Sequence, residues 1–127
     1  MELVTIVILV ALIEYIFFGL LVGRARGTYG VNAPATSGDP TFECYHRVQQ
    51  NTLEQLIVFI PGIIVFAQNV SIDVAVGLGV IYIIGRIVYL KSYVADPKKR
   101  SIGFVLSWLP GIIMVIGGLI GVIMNMM

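Results

Sequence analysis

Cysteine is almost missing from this chain: among 127 residues there is one, Cys44. A single thiol excludes an intramolecular disulfide and leaves no cysteine-based metal site. It reads as a small buried hydrophobe rather than a reactive group. Histidine is equally scarce. The one present, His46, neighbours Arg47 and reads as a solvated residue rather than a catalyst. Serine and threonine form no triad, metal ligands at standard spacing are absent, and no glycine-rich loop of the phosphate-cradling kind occurs. No metal and no nucleic-acid partner are therefore expected. Charge is thin as well, with 12% of residues charged against 58% hydrophobic and a mean hydropathy of +0.98. That balance excludes an ordinary water-soluble domain of this size.

What the chain does have is apolar runs of membrane-spanning length, at residues 3–22, 53–67, 74–90 and 102–124. They imply an all-α membrane protein: one four-helix transmembrane domain over residues 1–127, with spans at about 3–23, 41–67, 72–94 and 101–124. The first run opens with Met1-Glu2, lacks a basic leading segment, and has no small-x-small site before Arg24. It is read as a retained span, not a signal peptide.

Net charge is only +1, but its distribution is one-sided. Arg24, Arg26, Arg47, Arg86, Lys91, Lys98, Lys99 and Arg100 all fall on or toward the first and third connections. The N-terminus, the second connection "QNVSID" and the final "NMM" carry none. The positive-inside rule then places connections one and three in the cytoplasm and both termini outside.

The first connection, "GTYGVNAPATSGDP", is rich in turn formers and reads as coil. Asp39-Pro40 ends it with a helix start signal, Asp as N-cap and Pro at the first helical position. Pro61 is expected to bend the second helix. Gly77, Gly79, Gly117, Gly118 and Gly121 suit close helix packing.

Polar residues interrupt this pattern in two stripes. On the second helix Arg47, Gln50, Asn51 and Glu54 share a face; on the third, Tyr82, Arg86, Tyr89 and Tyr93 do. Counted from the short turn between the helices, Glu54 and Arg86 lie at similar depth, and so do Arg47 and Tyr93. Ionisable groups within a membrane protein cost on the order of 2.5–3.5 kcal/mol each at mid-bilayer, so both stripes should face the bundle interior or a wet cavity. One reading is a Glu54–Arg86 pair that neutralises itself and fixes helix register. The other is a polar pocket for an anionic or zwitterionic ligand, open to the cytoplasm. The pocket accounts for more of the residues.

The segment "PTFECYHRVQQNTLEQL" resembles the start of the second helix in the MAPEG family, the membrane-associated proteins of eicosanoid and glutathione metabolism. Its Phe42-Glu43, Arg47, Gln50-Asn51 and Glu54 follow the pattern of the microsomal glutathione transferase type 2 and 3 and leukotriene C synthase branch. "GLGVIYIIGRIVYLKSY" resembles the family's third helix, "KKR" with "IGF" the start of its fourth, and "VGRAR" the end of its first. The resemblance implies a homotrimer that binds glutathione as co-substrate between neighbouring subunits on the cytoplasmic side. It assigns glutathione contacts to Arg47, Asn51, Glu54, Tyr89 and Tyr93, and contacts from an adjacent subunit to Arg26 and Gln49. To Arg100 it assigns the catalytic task of holding the thiolate. Two positions depart from the leukotriene synthase: Gln55 stands where that enzyme has tyrosine, and Gly27 where it has a second arginine. Leukotriene synthesis is therefore not carried over.

The function implied is a membrane-bound glutathione S-transferase acting on lipophilic electrophiles, with glutathione peroxidase activity toward lipid hydroperoxides as an extension. Beside it stand a non-catalytic lipid-binding scaffold of the same fold and a small transporter. Retention of Arg47 and Arg100 speaks against the scaffold; an oily outer half speaks against a transport path. A short chain with no evident retrieval tail suits a bacterial inner membrane, with endoplasmic reticulum as the alternative. Four residues carry open readings. Glu14 is a helix–helix contact or lines a trimer axis, and Trp108 faces lipid or walls the acceptor site. Tyr29 is packing or an interface anchor, and Cys44 is as above.

Overall fold

The computed structural model describes residues 1–127 and consists of four helices: α1 (Glu2–Tyr29), α2 (Pro40–Asn69), α3 (Ile72–Ala95) and α4 (Ser101–Met126). A 3-10 turn, Pro97–Lys99, precedes α4. Each of the four is long and apolar enough to cross a membrane. At 1.5 Å per residue, the 28 residues of α1 and the 30 of α2 reach about 40–45 Å, beyond a hydrocarbon core of about 30 Å.

Helix ends follow from local chemistry. α1 outruns its apolar run by seven residues, through Arg24 and Arg26 to Tyr29, because arginine is a good helix former and its charge needs only to leave the oily zone. Gly30 stops it in the left-handed conformation, φ 71°, donating its N–H to the Arg26 carbonyl. Asp39 caps α2 as expected: its carboxylate accepts from the N–H groups of Thr41 and Phe42, both at 2.9 Å, with Pro40 at the first turn. Asp96-Pro97 repeats the device on the 3-10 turn, the Asp96 carboxylate accepting from the Lys98 N–H at 3.1 Å. α2 remains one helix through Pro61.

The short link at Val70–Ser71 makes α2 and α3 an antiparallel pair, and these two form the middle of the bundle. α1 and α4 each pack against both and share no substantial contact with one another. The main core gathers Val4, Val7 and Ala11 of α1 with Phe59, Ile63 and Phe66 of α2, Ala75 and Tyr82 of α3, and Met114 of α4. A small cluster of Phe18, Val48 and Tyr89 lies toward the basic end. A third, of Val22, Ala25, Val31 and Phe42, holds the first connection against the helices.

Two glycines decide how closely α4 lies on α3. A Cβ on Gly85 would meet the Ser107 N at 2.7 Å, and one on Gly103 would run into the backbone of Tyr89. Gly79, Gly117, Gly118 and Gly121 also sit in tight contacts, as expected. Gly77 does not: a Cβ there would meet nothing within 4 Å, because it lies on the outward side of α3.

Candidate functional site

The basic ends of α2, α3 and α4 enclose a groove of about 610 Å³ lined by Arg47, Asn51, Tyr89, Tyr93, Arg100, Ser101, Phe104 and Val105. Local structure sets each wall. Arg47 and Asn51 are one turn apart on α2, as are Tyr89 and Tyr93 on α3. The 3-10 turn brings Arg100 to the N-cap of α4, and its Nη1 donates to the Pro97 carbonyl at 2.8 Å. The missing side chain at Gly103 lets the first turn of α4 lie directly on Tyr89. Phe104, one residue on, tilts against the Tyr89 ring with centroids 6.2 Å apart. The two tyrosines meet edge to face at 5.4 Å, and the Arg100 guanidinium stands 6.0 Å from the Tyr93 ring.

Five of the eight residues singled out from the sequence thus share one groove: Arg47, Asn51, Tyr89, Tyr93 and Arg100. Glu54 adjoins it. Its carboxylate accepts from Arg47 Nη1 and from Asn51 Nδ2, both at 3.4 Å. The Arg47–Glu54 pair is loose and wet, with side chains 50% and 58% exposed, so it contributes at most about 1 kcal/mol and either partner is free to turn onto a ligand.

Arg26 and Gln49 lie elsewhere in the chain. Arg26 is held on the far side of α2, its Nη1 donating to the Ala35 carbonyl at 2.7 Å and its guanidinium over the Phe42 ring. Gln49 faces α1, its amide nitrogen against Gly19.

The Glu54–Arg86 pair considered above does not form. Arg86 is wholly buried and gives both Nη1 and Nη2 to the Asn51 Oδ1, at 2.9 Å each. Glu54 turns outward to Arg47 instead, where water shares its solvation. The α3 stripe divides in the same way. Tyr82 and Arg86 are sealed in the core, Tyr82 stacked on Phe59 at 4.0 Å, and only Tyr89 and Tyr93 reach the groove.

Ser101, Phe104 and Val105 were not singled out from the sequence. The signal was available, since they lie within five residues of Arg100 on the helix it starts. Trp108 extends the same face, stacked on Phe104 at 6.2 Å and 42% exposed. Glu14 is buried, with no hydrogen-bond partner on either oxygen. His46 stacks on Phe42 rather than standing free in solvent. Cys44 is buried, as expected, and Tyr29 is exposed beside Arg24 and Tyr45.

A groove walled by two guanidinium groups, two phenols and an amide, with one loosely paired carboxylate at its edge, suits a small molecule carrying more negative than positive charge. The family model described as MAPEG family matches residues 4–120. An uncharacterized protein of Synechocystis sp. is 43% identical over 109 residues, covering 86% of this chain and 80% of that one. Human microsomal glutathione S-transferase 2 is 41% identical over 91 residues, covering 72% of this chain and 62% of the human protein. Rat leukotriene C4 synthase is 32% identical over 84 residues, or 66% and 56% of the two chains. The match therefore spans a little over half the length of each of these two mammalian relatives.

Proposed function

The chain belongs to the MAPEG family, and from that membership together with the chemistry of the groove we propose that it is an integral membrane glutathione S-transferase. The observation that carries this reading is the convergence of Arg47, Asn51, Tyr89, Tyr93 and Arg100 from three helices on one cavity. Glutathione has two carboxylates and one ammonium. Arg47 offers a fork to a carboxylate, Glu54 an acceptor to the ammonium, and Asn51 and the tyrosines supply neutral hydrogen bonds. Arg100 serves the sulfur. Its positive charge favours thiolate over thiol, and the proton leaves to water, so no basic side chain is required. The thiolate then forms a carbon–sulfur bond with the electrophile, whose leaving group or ring oxygen departs with the electron pair.

The same nucleophile supports reduction of a lipid hydroperoxide. Sulfur attacks the O–O bond and releases the alcohol, and a second glutathione displaces water to give the disulfide. Phe104, Val105 and the exposed Trp108 offer an apolar approach from the lipid side.

Arg26 and Gln49 support a homotrimer. The resemblance assigns them to the tripeptide, yet in one chain they lie on the opposite side of α2 from the groove. Both sets of contacts converge only if a neighbouring subunit supplies one of them. Clustering of the basic residues at the groove end supports a site facing the cytoplasm, in a bacterial inner membrane or the endoplasmic reticulum. The test is direct. Purified, folded protein is assayed with glutathione and either chlorodinitrobenzene or cumene hydroperoxide. Glutathione-dependent turnover of one or both is expected, and absence of both refutes the proposal. Calorimetry with glutathione alone separates it from a lipid-binding scaffold, which gives no saturable heat.

A further inference from the structure

Arg86 is the only fully buried cation of the chain, and its hydrogen bonds go to an unusual place. A buried arginine serving the fold alone would be expected to face a carboxylate, and the bundle holds one buried carboxylate, Glu14, 9% exposed. Yet no hydrogen bond joins them. Both oxygens of Glu14 and the Nε of Arg86 are without partners. Instead Nη1 and Nη2 converge on the Oδ1 of Asn51, and the guanidinium lies 4.3 Å from the centre of the Tyr89 ring. Asn51 and Tyr89 are both walls of the groove. Arg86 thus touches two of the residues assigned to the ligand while standing wholly behind them.

The chemistry of that contact fixes a direction. A guanidinium has five donors and no acceptor, so only the carbonyl oxygen of an amide can face it. The Asn51 Nδ2 must then point the other way, as its 3.4 Å approach to Glu54 shows. An unrestrained asparagine presents either end to a ligand; this one presents N–H. The buried charge also polarises the amide, which strengthens the remaining donor in a low-dielectric setting. The contact with Tyr89 holds that ring in one plane against Phe104.

Resting on the glutathione reading, we propose that Arg86 is a positioning residue that locks Asn51 as a hydrogen-bond donor and sets the plane of Tyr89. The ligand group opposite Asn51 is then an acceptor, a carboxylate or peptide carbonyl, and not the ammonium. The ammonium is left to Glu54.

Calorimetric titration of the wild-type protein with glutathione comes first, and no saturable heat there removes the functional reading itself. Given wild-type binding, Asn51→Asp decides the proposal. Aspartate keeps the shape and pairs with Arg86, while its second oxygen replaces the Asn51 Nδ2 that meets Glu54, so the two effects offset and thermal stability should change little. It has no donor to offer, so glutathione affinity should fall about 10-fold or more. Unchanged or tighter binding would mean that the amide oxygen faces the ligand, and the proposal is overturned. Arg86→Lys keeps the charge but loses the fork. It should raise the KM for glutathione about 3- to 10-fold with kcat at saturation nearly unchanged. Arg86→Met should go further in KM. A loss of melting temperature in the two Arg86 variants with KM unmoved would mark the arginine as structural only. Should Arg86→Met fail to fold, the aspartate and lysine variants still decide.

Discussion

Replacing Gly103 by alanine tests how the groove is held open at the right width. A Cβ at this position would fall onto the backbone N and Cα of Tyr89 and lie 2.9 Å from its Cβ. Comfortable carbon contacts are about 3.5–4.0 Å, so the helices must separate by roughly 1 Å. Backbone cannot swing aside as a side chain would. Overpacking of this kind costs about 1–3 kcal/mol, while alanine returns up to about 1 kcal/mol of helix propensity. Gly77→Ala supplies the internal control, because nothing lies within 4 Å of its Cβ and only the propensity gain remains. The two alanines should therefore differ by roughly 1–3 kcal/mol in stability, read as melting temperatures in the same detergent, with Gly103→Ala the lower. Function should follow. α4 carries Arg100, Ser101 and Phe104, and shifting it off Tyr89 widens the groove on one side. KM for glutathione should rise in Gly103→Ala and stay put in Gly77→Ala. Equal melting temperatures for the two, or a Gly103→Ala protein with wild-type KM, would refute the argument that this contact sets the groove.

Three further outcomes are expected. Arg100→Ala should leave glutathione binding measurable by calorimetry but add about 1–3 kcal/mol to the barrier, a roughly 5- to 150-fold slower turnover. Arg47→Ala should weaken glutathione binding itself by about 10-fold, as loss of a charge-assisted hydrogen bond does, with less effect on turnover at saturation. The KM for glutathione should climb as salt is raised from about 20 mM to 500 mM, since Arg47 and Arg100 are solvent-exposed and the screening length shortens to a few ångströms. A salt-independent KM would mean that charge does not recruit the ligand.

Much of this arrangement is legible in the sequence. Four apolar runs, the Asp39-Pro40 start and a short turn between the second and third runs dictate a bundle of four helices, and helical spacing places Arg47 beside Asn51 and Tyr89 beside Tyr93. Depth counted along the helices is legible too, but pairing is not. Depth brings Glu54 and Arg86 level, and opposite charge suggests that they meet. Helix rotation decides otherwise. Asn51 is the residue turned inward on α2, Glu54 is offset from it by about 60° around the helix and comes out exposed, and a carboxylate that can stay wet has little to gain from burial. Rotation also separates Gly77 and Gly79 of α3: Gly79 meets Val7 of α1, while Gly77, two residues earlier, faces outward. A spacing rule gives which residues share a face. Which face turns inward is settled by the sum of contacts along the whole helix.

The basic residues show how one charge pattern carries separate instructions. Eight cations at one end of the bundle are what orientation in a membrane requires, and any of them serves that purpose through its sign alone. Sign says nothing of surroundings, and here the surroundings diverge. Lys91, Lys98 and Lys99 are exposed and make no side-chain hydrogen bond or ion pair. Arg26 is tied to a loop carbonyl, Arg47 and Arg100 line the groove, and Arg86 is sealed behind it. The division follows side-chain chemistry. No lysine lines the groove or lies behind it, and each contact there exploits either the arginine fork or its flat face: two donors on one oxygen at Asn51, a plane against Tyr89, an approach to Tyr93. Exchanging lysine for arginine would preserve the topology everywhere and dismantle the groove, so the two instructions are separable although they are written with the same charges.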